Sequence, residues 1–306
     1  MKHLNLDRII AKIKTLEVGD YLENEPLYKH TTFKVGGPCC LYVKVYHLEA
    51  LKVLLNYLKE EQVPYYLIGN GSNLLFSDRE FEGVIISLNE YFTDFKINGC
   101  DIEAQAGVNL IYLANQACKY GLSGLEFAGG IPGSVGGAVF MNAGAYLSDI
   151  SALITSVTIL DENLEIQTLT NEQMKFAYRH SVIQEHPEWI ILSCMLRLKP
   201  KDPKTIQALM DNRKEKRMMT QPWNFPSAGS VFRNPEAKPA WQCIDECGLR
   251  GWEIGGAQIS PKHSNFIVNN GYASARDILD LIQLAQKVVK ERFDIDLVTE
   301  VRLVNW

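Results

Sequence analysis

Two glycine-rich segments carry the clearest chemical signal in this chain. Residues 127–146, FAGGIPGSVGGAVFMNAGAY, hold six of its 22 glycines and contain no Lys, Arg, Asp or Glu. Glycine lets the main chain approach a ligand closely and adopt positive φ, and a small-residue turn that runs into a helix presents free N–H groups to a phosphate. The segment therefore predicts a polyphosphate held by backbone rather than by cationic side chains.

The second segment, GNGSNLLFSD at residues 69–78, narrows the choice of ligand. Gly69 and Gly71 begin a GxGxxG pattern, but position 74 is leucine and no acidic residue follows at the usual distance, so a Rossmann fingerprint is incomplete. Neither GKS nor GKT occurs in the chain, which excludes a Walker A loop. Together the two loops favour one extended cofactor held at two points. For either loop alone, turns and tight packing are the alternative.

Composition favours a small-molecule ligand over a nucleic acid or a membrane surface. The 306 residues include 31 basic and 36 acidic side chains, and the formal charge of −5 gives no electrostatic footprint for either partner. The start of the chain lacks the apolar core of a secretory signal, and no stretch reaches the roughly 18 apolar residues of a membrane span. A cytoplasmic protein is therefore expected.

The seven cysteines, an odd number scattered along the chain, indicate reduced thiols. Cys243 and Cys247 share a helix face, but no second Cys/His pair accompanies them. Core packing is therefore favoured over zinc, and no metal is expected.

Hydrophobic periodicity predicts mixed helix and strand structure. A strand at 41–47, a helix at 47–62 and a strand at 65–68 are expected to form a small βαβ unit. Further strands are predicted at 83–88, 102–106, 154–160, 165–169, 189–198, 265–269 and 297–304, and further helices at 109–120, 204–219, 239–247 and 273–293. The polar run KPKDPK at 199–204 contains two prolines and indicates a domain boundary near residue 200.

Seven motifs follow one another between His30 and Val304: HTTFKVGGP, YYLIGNGSNLLFSD, GLEFAGGIPGSVGGAVFMNAGAY, YRHS, PSAGSVFRNP, GGAQISPKHSNFIVN and TEVRLV. In these motifs, and in their order, the chain resembles the UDP-N-acetylenolpyruvoylglucosamine reductases. The resemblance implies an α+β protein with an FAD-binding fold of the vanillyl-alcohol-oxidase type at 1–199, in two subdomains divided near residue 90. A smaller α+β substrate-binding domain would occupy 200–306, with its last strand packing back near the FAD domain.

The resemblance also implies a reaction. It is the NADPH-dependent reduction of UDP-N-acetylglucosamine enolpyruvate to UDP-N-acetylmuramate through non-covalent FAD, with hydride passing from flavin N5 to C3 and a proton to C2. This oxidoreductase step belongs to cytoplasmic peptidoglycan synthesis, and so to cell wall biogenesis, cell shape and cell division. A monomer is expected, and the absence of a separate Rossmann domain favours one pocket that serves NADPH and substrate in turn.

Residues of three segments are implied to bind FAD. The first segment would contribute Thr32, Lys34 and Gly36, although Thr32 by itself is equally consistent with an ordinary strand residue. The two glycine-rich loops and the residues after them would hold the pyrophosphate and its surroundings through Gly69, Asn70, Gly71, Ser72, Asn73, Leu74, Pro132, Gly133, Ser134, Gly136, Gly137, Asn142, Ala143 and Gly144.

The resemblance implies that Arg179, Ser230 and Glu300 are catalytic. A guanidinium can bind the substrate carboxylate through two parallel hydrogen bonds and hold the charge that develops at C2. Glu300, protonated or hydrogen-bonded through a proton, would stabilise the same charge, and Ser230 would deliver the proton to C2. By themselves, Arg179 is also consistent with a surface charge, Glu300 with a solvated strand position, and Ser230 with a turn-capping serine.

A further set of polar residues is implied to lie near the sugar nucleotide or the flavin: Tyr178, Arg233, Asn234, Gln258, His263 and Asn265. Arg213 and Arg217 are left out, because a charge run such as RKEKR is most often an exposed helix face. Only 76 residues follow Ser230, which suits the compact type II form of the family. Trp223 stands where a smaller aliphatic residue is expected.

Two other functions fit parts of this pattern. A flavin oxidase or dehydrogenase of the same fold would need a His or Cys placed for a covalent flavin link, and His30, Cys39 and Cys40 have no spacing that argues for attachment. A nucleotide-sugar-binding protein without catalysis would lack one of the three catalytic residues, and all three are present.

Overall fold

The computed structural model describes residues 6–306 and groups them into two compact units. Unit 1 contains residues 6–22 together with Leu41–Asn70 and Gly83–Glu215. Unit 2 contains Glu23–Cys40, Gly71–Glu82 and Lys216–Trp306. Each unit encloses its own apolar core.

Helices and strands alternate along the described chain. The α-helices are α1 (Leu6–Thr15), α2 (Leu48–Glu60), α3 (Leu110–Lys119), α4 (Val135–Met141), α5 (Pro203–Thr220), α6 (Ala240–Glu246) and α7 (Ala275–Phe293). The strands are β1 (Gly19–Pro26), β2 (Pro38–Val45), β3 (Tyr65–Ile68), β4 (Leu74–Phe76), β5 (Phe81–Ser87), β6 (Phe95–Asn98), β7 (Asp101–Gln105), β8 (Leu122–Ser123), β9 (Gly144–Ala145), β10 (Ser148–Asp149), β11 (Ile154–Leu160), β12 (Ile166–Thr170), β13 (Ile190–Arg197), β14 (Lys199–Pro200), β15 (Glu253–Ile254), β16 (Ala257–Ile259), β17 (Ile267–Asn269) and β18 (Arg302–Val304). Short 3₁₀-helices lie at Leu27–His30, Ala128–Gly130, Ile150–Ala152 and Val182–Glu185.

Unit 1 is built on two sheets. The first has the strand order β1-β2-β5-β3, and its residues 19–22, 41–45, 65–68 and 83–87 belong to this unit. Strand β3 pairs in parallel with β5, so β5 separates it from β2, and the predicted βαβ unit does not join neighbouring strands. The second sheet, β12-β11-β13-β7-β6, is antiparallel at every pairing.

The helices of unit 1 follow from amphipathic sequence and local caps. Helix α2 buries the leucines that repeat at helical spacing, because one face of LEALKVLLNYLKE is apolar. Helices α3 and α4 begin at side chains that accept a backbone N–H, Asn109 for α3 and Ser134 for α4.

Unit 2 combines the C-terminal residues with two earlier segments. Its antiparallel sheet β15-β16-β17 accompanies α6 and α7. The earlier segments are held by long-range bonds: Asn269 Nδ2 donates to Phe33 O at 3.0 Å, and the Asp78 carboxylate accepts the backbone N–H groups of Ala275 and Arg276 at the start of α7. Strand β18 also pairs in parallel with β4. In the last part of the chain, unit 1 ends at Glu215 and unit 2 resumes at Lys216. The predicted domains 1–199 and 200–306, and the roles assigned to them, remain predictions.

The end of the chain differs from its predicted form. A strand is expected over 297–304, but β18 covers only Arg302–Val304, and Val298 and Glu300 instead make single backbone bonds to the segment after Ser230. Within residues 6–306, no helix is both long and apolar enough to cross a bilayer.

Candidate active site

In unit 1, the two predicted cofactor loops lie side by side. A Cβ added at Gly69 would lie 2.6 Å from Ser134 Oγ, and Asn70 Nδ2 donates to Pro132 O at 3.3 Å. The Asn70 side chain is itself held by the Asn89 amide, at 3.0 Å from its Oδ1. Segments far apart in sequence thus form one small-residue surface, as an extended cofactor bound at two loops requires.

The N-terminus of α4 differs from the sequence prediction. The N–H groups of Val135 and Gly136 donate to Val108 O at 2.9 Å and Ala106 O at 2.8 Å, and Gly137 N–H donates to Ser134 Oγ at 3.3 Å. The expectation of free helix amides is therefore wrong at these three positions, because residues 106–108 and the N-cap serine already accept them. These three amides are therefore not available to a phosphate, and a cofactor role for the glycines would rest on close approach to the backbone.

Gly136 and Gly137, which are neighbours in α4, differ in the space that a side chain would have. A Cβ at Gly136 would lie 2.9 Å from Ala106 Cβ, so packing inside the protein excludes a side chain there. Gly137 is exposed, and a Cβ there would meet only Ser134 Oγ, at 3.3 Å. Packing therefore explains Gly136 but not Gly137, which stays a predicted cofactor residue.

The residues after α4 connect the glycine-rich segment to Arg179. Asn142 ends the helix at φ +43°, and its Nδ2 donates to Ala177 O at 2.9 Å. Its Oδ1 accepts Ser151 N–H at 3.2 Å. Gly144 O accepts a hydrogen bond from Arg179 Nη2 at 3.0 Å. Asn142 and Gly144, predicted as cofactor residues, thus hold the turn of a predicted catalytic residue.

Arg179 and Tyr178 lie together in unit 1. The Arg179 guanidinium lies 5.0 Å from the centroid of the exposed Tyr178 ring. Arg213, excluded above as an exposed helix residue, is half-buried in the same unit and packs against the Tyr146 ring at 4.9 Å.

Sequence reasoning missed Glu126, which stands just before the glycine-rich turn. This residue is only 6% exposed, and its carboxylate accepts the Ser123 hydroxyl at 2.5 Å and Gly124 N–H at 2.8 Å. Burial raises the pKa of the Glu126 carboxyl, but these hydrogen bonds and the positive charge of Arg213 outweigh burial and lower that pKa below its usual value. The sequence feature that could have indicated Glu126 is its position directly before the twenty uncharged residues 127–146.

In unit 2, the first predicted FAD segment lies against the second half of the glycine loop. Gly71 has φ +59°, a Cβ there would lie 2.0 Å from His30 O, and Gly71 O accepts Thr32 N–H at 3.2 Å. The Thr32 hydroxyl is buried and has no hydrogen-bond partner among the described residues. A buried hydroxyl without a partner is costly, so this surface fits a polar ligand such as FAD.

The other residues of this segment have separate surroundings. Lys34 is exposed at φ +57°, and its Nζ lies 3.5 Å from Lys29 O. Gly36 has φ +123°, and a Cβ there would lie 3.1 Å from Phe76 Cβ. Packing and backbone conformation alone therefore require glycine at position 36.

Unit 2 also brings Ser230 and Glu300 together. Ser230 follows Gly229, which has φ +75°, and precedes Val231, whose carbonyl accepts Glu300 N–H at 2.7 Å. Asn73 Nδ2 donates to Glu300 O at 3.0 Å, so a predicted cofactor residue is bonded directly to this strand segment. Two predicted catalytic residues and part of one cofactor loop therefore form a single cluster. Strand β4, which begins at Leu74, continues the connection by pairing with β18.

Among the predicted substrate residues, three use their amides inside unit 2. Asn265 Oδ1 accepts Phe232 N–H at 3.0 Å, and its Nδ2 donates to Phe232 O at 2.9 Å. Asn234 Oδ1 accepts Ala240 N–H at 3.1 Å, and Gln258 Nε2 donates to Gly251 O at 3.2 Å. Asn265 therefore binds the backbone two residues after Ser230, whereas Asn234 and Gln258 bind backbone at residues 240 and 251.

His263 and Arg233 also belong to unit 2. Burial, with the nearby positive charge of Arg250, lowers the pKa of His263, whose ring packs edge-on against Phe266 at 4.9 Å. The backbone N–H of Arg233 donates to Val298 O at 2.9 Å. Trp223 lines a surface cavity of unit 2 whose other residues include Phe225, Gln258, Ser260 and Lys262.

Comparison with known proteins identifies the class of the chain. Residues 40–170 match a family model described as an FAD binding domain, and residues 221–304 match one described as the C-terminal domain of UDP-N-acetylenolpyruvoylglucosamine reductase. The chain is an FAD-dependent oxidoreductase of α+β fold, as its motifs predict.

Full-length relatives define the family more closely. UDP-N-acetylenolpyruvoylglucosamine reductase of Bacillus licheniformis is 46% identical over 300 residues, 98% of this chain and 99% of the relative. The Bacillus subtilis reductase is 44% identical over the same shares of both chains. A crystal structure of the Thermus caldophilus reductase matches 93% of this chain and 98% of its own, with 34% identity and a TM-score of 0.78. The chain belongs to the UDP-N-acetylenolpyruvoylglucosamine reductase family, which confirms the resemblance described above.

Proposed function

We propose that this chain catalyses the NADPH-dependent reduction of UDP-N-acetylglucosamine enolpyruvate to UDP-N-acetylmuramate, a step of peptidoglycan precursor synthesis. Full-length similarity to curated reductases supports the reaction. The observation that carries it is the cluster in unit 2, where Ser230 adjoins Val231 and the Val231 carbonyl binds Glu300 N–H at 2.7 Å. We further propose that the protein acts in the cytoplasm as a monomer.

FAD would be held by the segments with glycine-lined or unsatisfied surfaces. In unit 1 these are Gly69, Asn70 and residues 132–137, with Asn142, Ala143 and Gly144 beyond them. In unit 2 they are Thr32, Lys34, Gly36 and residues 71–74. The buried Thr32 hydroxyl has no hydrogen-bond partner within residues 6–306, which supports this assignment, because a cofactor oxygen or nitrogen would supply the missing bond.

The catalytic residues would act on the enolpyruvyl group. When bound, FAD supplies the redox chemistry, accepting a hydride from NADPH and providing one from N5 to C3 of the substrate. Arg179 would bind the substrate carboxylate and hold the negative charge that develops toward C2. Ser230 would give its hydroxyl proton to C2, and Glu300 would stabilise the charge before that proton arrives.

Substrate binding is assigned to Tyr178, Arg233, Asn234, Gln258, His263 and Asn265. The amides of Asn234, Gln258 and Asn265 already bind backbone, so their contribution would be to shape the pocket. NADPH would use the pocket that the sugar nucleotide occupies afterwards.

The decisive experiment separates the two halves of the reaction. Anaerobic titration with NADPH should bleach the flavin absorbance, and the enolpyruvyl sugar nucleotide should then restore it. Ser230→Ala is expected to leave reduction by NADPH within about twofold of wild type and to slow reoxidation by substrate roughly 10² to 10⁴-fold, the scale for a positioned acid. Ser227→Ala, in the same turn, is the matched control.

Either half can refute the assignment. A wild-type protein whose reduced flavin is not reoxidised by the enolpyruvyl sugar nucleotide would exclude the proposed reaction. Equal slowing of both half-reactions in Ser230→Ala would remove Ser230 from the role of proton donor.

A further inference from the structure

Arg179 lies in a turn with an unfavourable backbone conformation. Ala177 N–H donates to His180 O at 3.2 Å, and His180 N–H donates to Ala177 O at 3.1 Å. Between them Arg179 has φ +56°, in the left-handed region that residues with side chains rarely adopt. Such a conformation persists only where the surrounding structure holds it. The position of the guanidinium therefore depends on whatever fixes this turn.

Gln184 fixes it to the end of α4. Its Nε2 amide donates to Arg179 O at 3.2 Å and to Phe140 O at 2.8 Å. A primary amide carries two N–H donors, so one side chain serves both carbonyls at once. Gln184 thereby bridges the turn that carries Arg179 and the glycine-rich segment.

Three further bonds converge on the same part of the glycine-rich segment. Ser181 Oγ donates to Phe140 O at 2.7 Å, Asn142 Nδ2 donates to Ala177 O at 2.9 Å, and Arg179 Nη2 donates to Gly144 O at 3.0 Å. Ser181 is fully buried and Asn142 is 3% exposed, so two of the three donors are shielded from water. Residues 140–144 thus present acceptors and a donor to the Arg179 turn.

We propose that Gln184 is a positioning residue for Arg179, acting on the reaction only by holding the Arg179 backbone against α4. The proposal rests on the function proposed above for Arg179. Gln184 itself binds backbone carbonyls, so no contact with substrate is required of it. The property of Gln184 that this role requires is its pair of N–H donors. Glutamate has the same shape but no N–H, and methionine has similar length but no N–H donor, so neither could make these two hydrogen bonds.

The test is Gln184→Met in the flavin-loaded enzyme. FAD content and reduction of FAD by NADPH should stay within about twofold of wild type. Reoxidation by the enolpyruvyl sugar nucleotide should slow roughly 10- to 100-fold, because a displacement of about 1 Å in a binding group is enough for this loss. Binding of the same nucleotide to the oxidised holoenzyme, followed by the change in flavin absorbance, should also weaken.

A double variant separates positioning from general loss of structure. In an Arg179→Ala background, Gln184→Met should slow reoxidation by less than about twofold more, because residues that act as a unit are not additive. Gln167→Met is the matched control: Gln167 is exposed on β12 in the same unit, and its amide donates to Asp161 Oδ2 at 3.1 Å. This control should behave as wild type.

The outcomes distinguish this proposal from the proposed function. If wild type reduces the substrate and Gln184→Met does so at the same rate, Gln184 does not position Arg179; full additivity in the double variant leads to the same conclusion. If wild type does not reduce the substrate, the proposed function fails instead. Gln184→Lys keeps N–H donors and should retain most of the rate; a flavin-loaded Lys variant as slow as Arg179→Ala would overturn the proposal.

Discussion

The proposed catalytic residues are held by different kinds of bond in the two units. In unit 1, the turn of Arg179 is fixed by the side chains of Asn142 and Gln184, each bonded to backbone of another segment. In unit 2, Ser230 and Glu300 lie on segments joined by backbone bonds, and Asn265 adds two bonds to the single residue Phe232. The contrast is between a turn held mainly by side chains and a cluster held mainly by backbone pairing, to which Asn73 and Asn265 add side-chain bonds.

This difference determines how each region should respond to mutation. Backbone bonds between segments form with almost any sequence, so Ser230 and Glu300 should stay aligned unless the unit itself loses stability. A turn held by side chains loses its position when one amide is removed, while the fold around it persists. Substitutions of the side chains that hold the Arg179 turn should therefore reduce activity more than stability. Substitutions of the residues that pack near Ser230 should reduce stability more than activity.

The largest effect is expected from paired asparagine variants. Asn265→Ala leaves the N–H and C=O of Phe232 without these partners at a residue only 2% exposed, and should lower the free energy of unfolding by about 3 kcal/mol. Asn142→Gly removes bonds to two less enclosed groups, and glycine accepts φ +43°, so about 1 kcal/mol is expected. Urea unfolding followed by circular dichroism measures both losses.

Activity completes this comparison. The Asn142 variant should lose more of its rate of substrate reduction per unit of lost stability than the Asn265 variant. Two results would contradict this comparison: equal stability losses in the two variants, or an Asn265→Ala protein that is stable but has lost activity. Either would show that Asn142 and Asn265 do not differ in how they affect stability and activity.

A smaller effect is expected at the neighbouring glycines of α4, which contrast packing with ligand approach. Gly136→Ala should destabilise the flavin-free protein by roughly 1 to 3 kcal/mol, because its Cβ would lie 2.9 Å from Ala106 Cβ. Gly137→Ala should leave that protein as stable as wild type or slightly more stable, since alanine favours helix. Its affinity for FAD should nevertheless fall roughly tenfold if the cofactor approaches the backbone there, as titration with FAD would measure.

The result is informative in either direction. If Gly137→Ala binds FAD normally, residue 137 does not face the cofactor. If Gly136→Ala is as stable as wild type, residues 106–108 must move more easily than their hydrogen bonds to α4 indicate.

The sequence predicts individual helices, strands and loops better than it predicts contacts between distant segments. The bounds of β3 and β11 match the sequence prediction, because an apolar strand pattern is a local property. Helix α5, which is largely polar, extends one residue beyond its predicted bounds at each end. The two glycine-rich loops can likewise be identified from the sequence, because so many glycines in a short segment are uncommon.

What could not be predicted depends on single contacts between distant segments. The hydrogen bond from Asn269 to Phe33 O joins residues 23–40 to the rest of unit 2, and no periodic pattern in the sequence predicts it. The same holds for the amide of Gln184 and for the backbone bonds that replace a longer last strand. Family motifs selected Asn142 and Asn265, but only the structure reveals that their amides bind backbone.

The smallest predicted effect concerns the pH dependence of Glu126, which lies in unit 1 just before the glycine-rich turn. The folded-state pKa of Glu126 lies below its ordinary value of 4.5, so its charged form stabilises the fold above about pH 4.5, and this contribution is lost as pH falls through the folded-state pKa. Glu126→Gln keeps the shape without the charge. At pH 7 wild type should be more stable by about 1 kcal/mol, and the difference should shrink as pH falls below about 4.5.

Thermal unfolding of both proteins between pH 7 and pH 3.5 measures this difference, with Glu103→Gln, an exposed position on β7, as the control. Because the Glu126 carboxylate binds Ser123 and the Gly124 N–H directly ahead of the glycine-rich turn, FAD release should follow the same pH dependence. A stability difference that is constant with pH would mean that the charge of Glu126 is not what holds the turn.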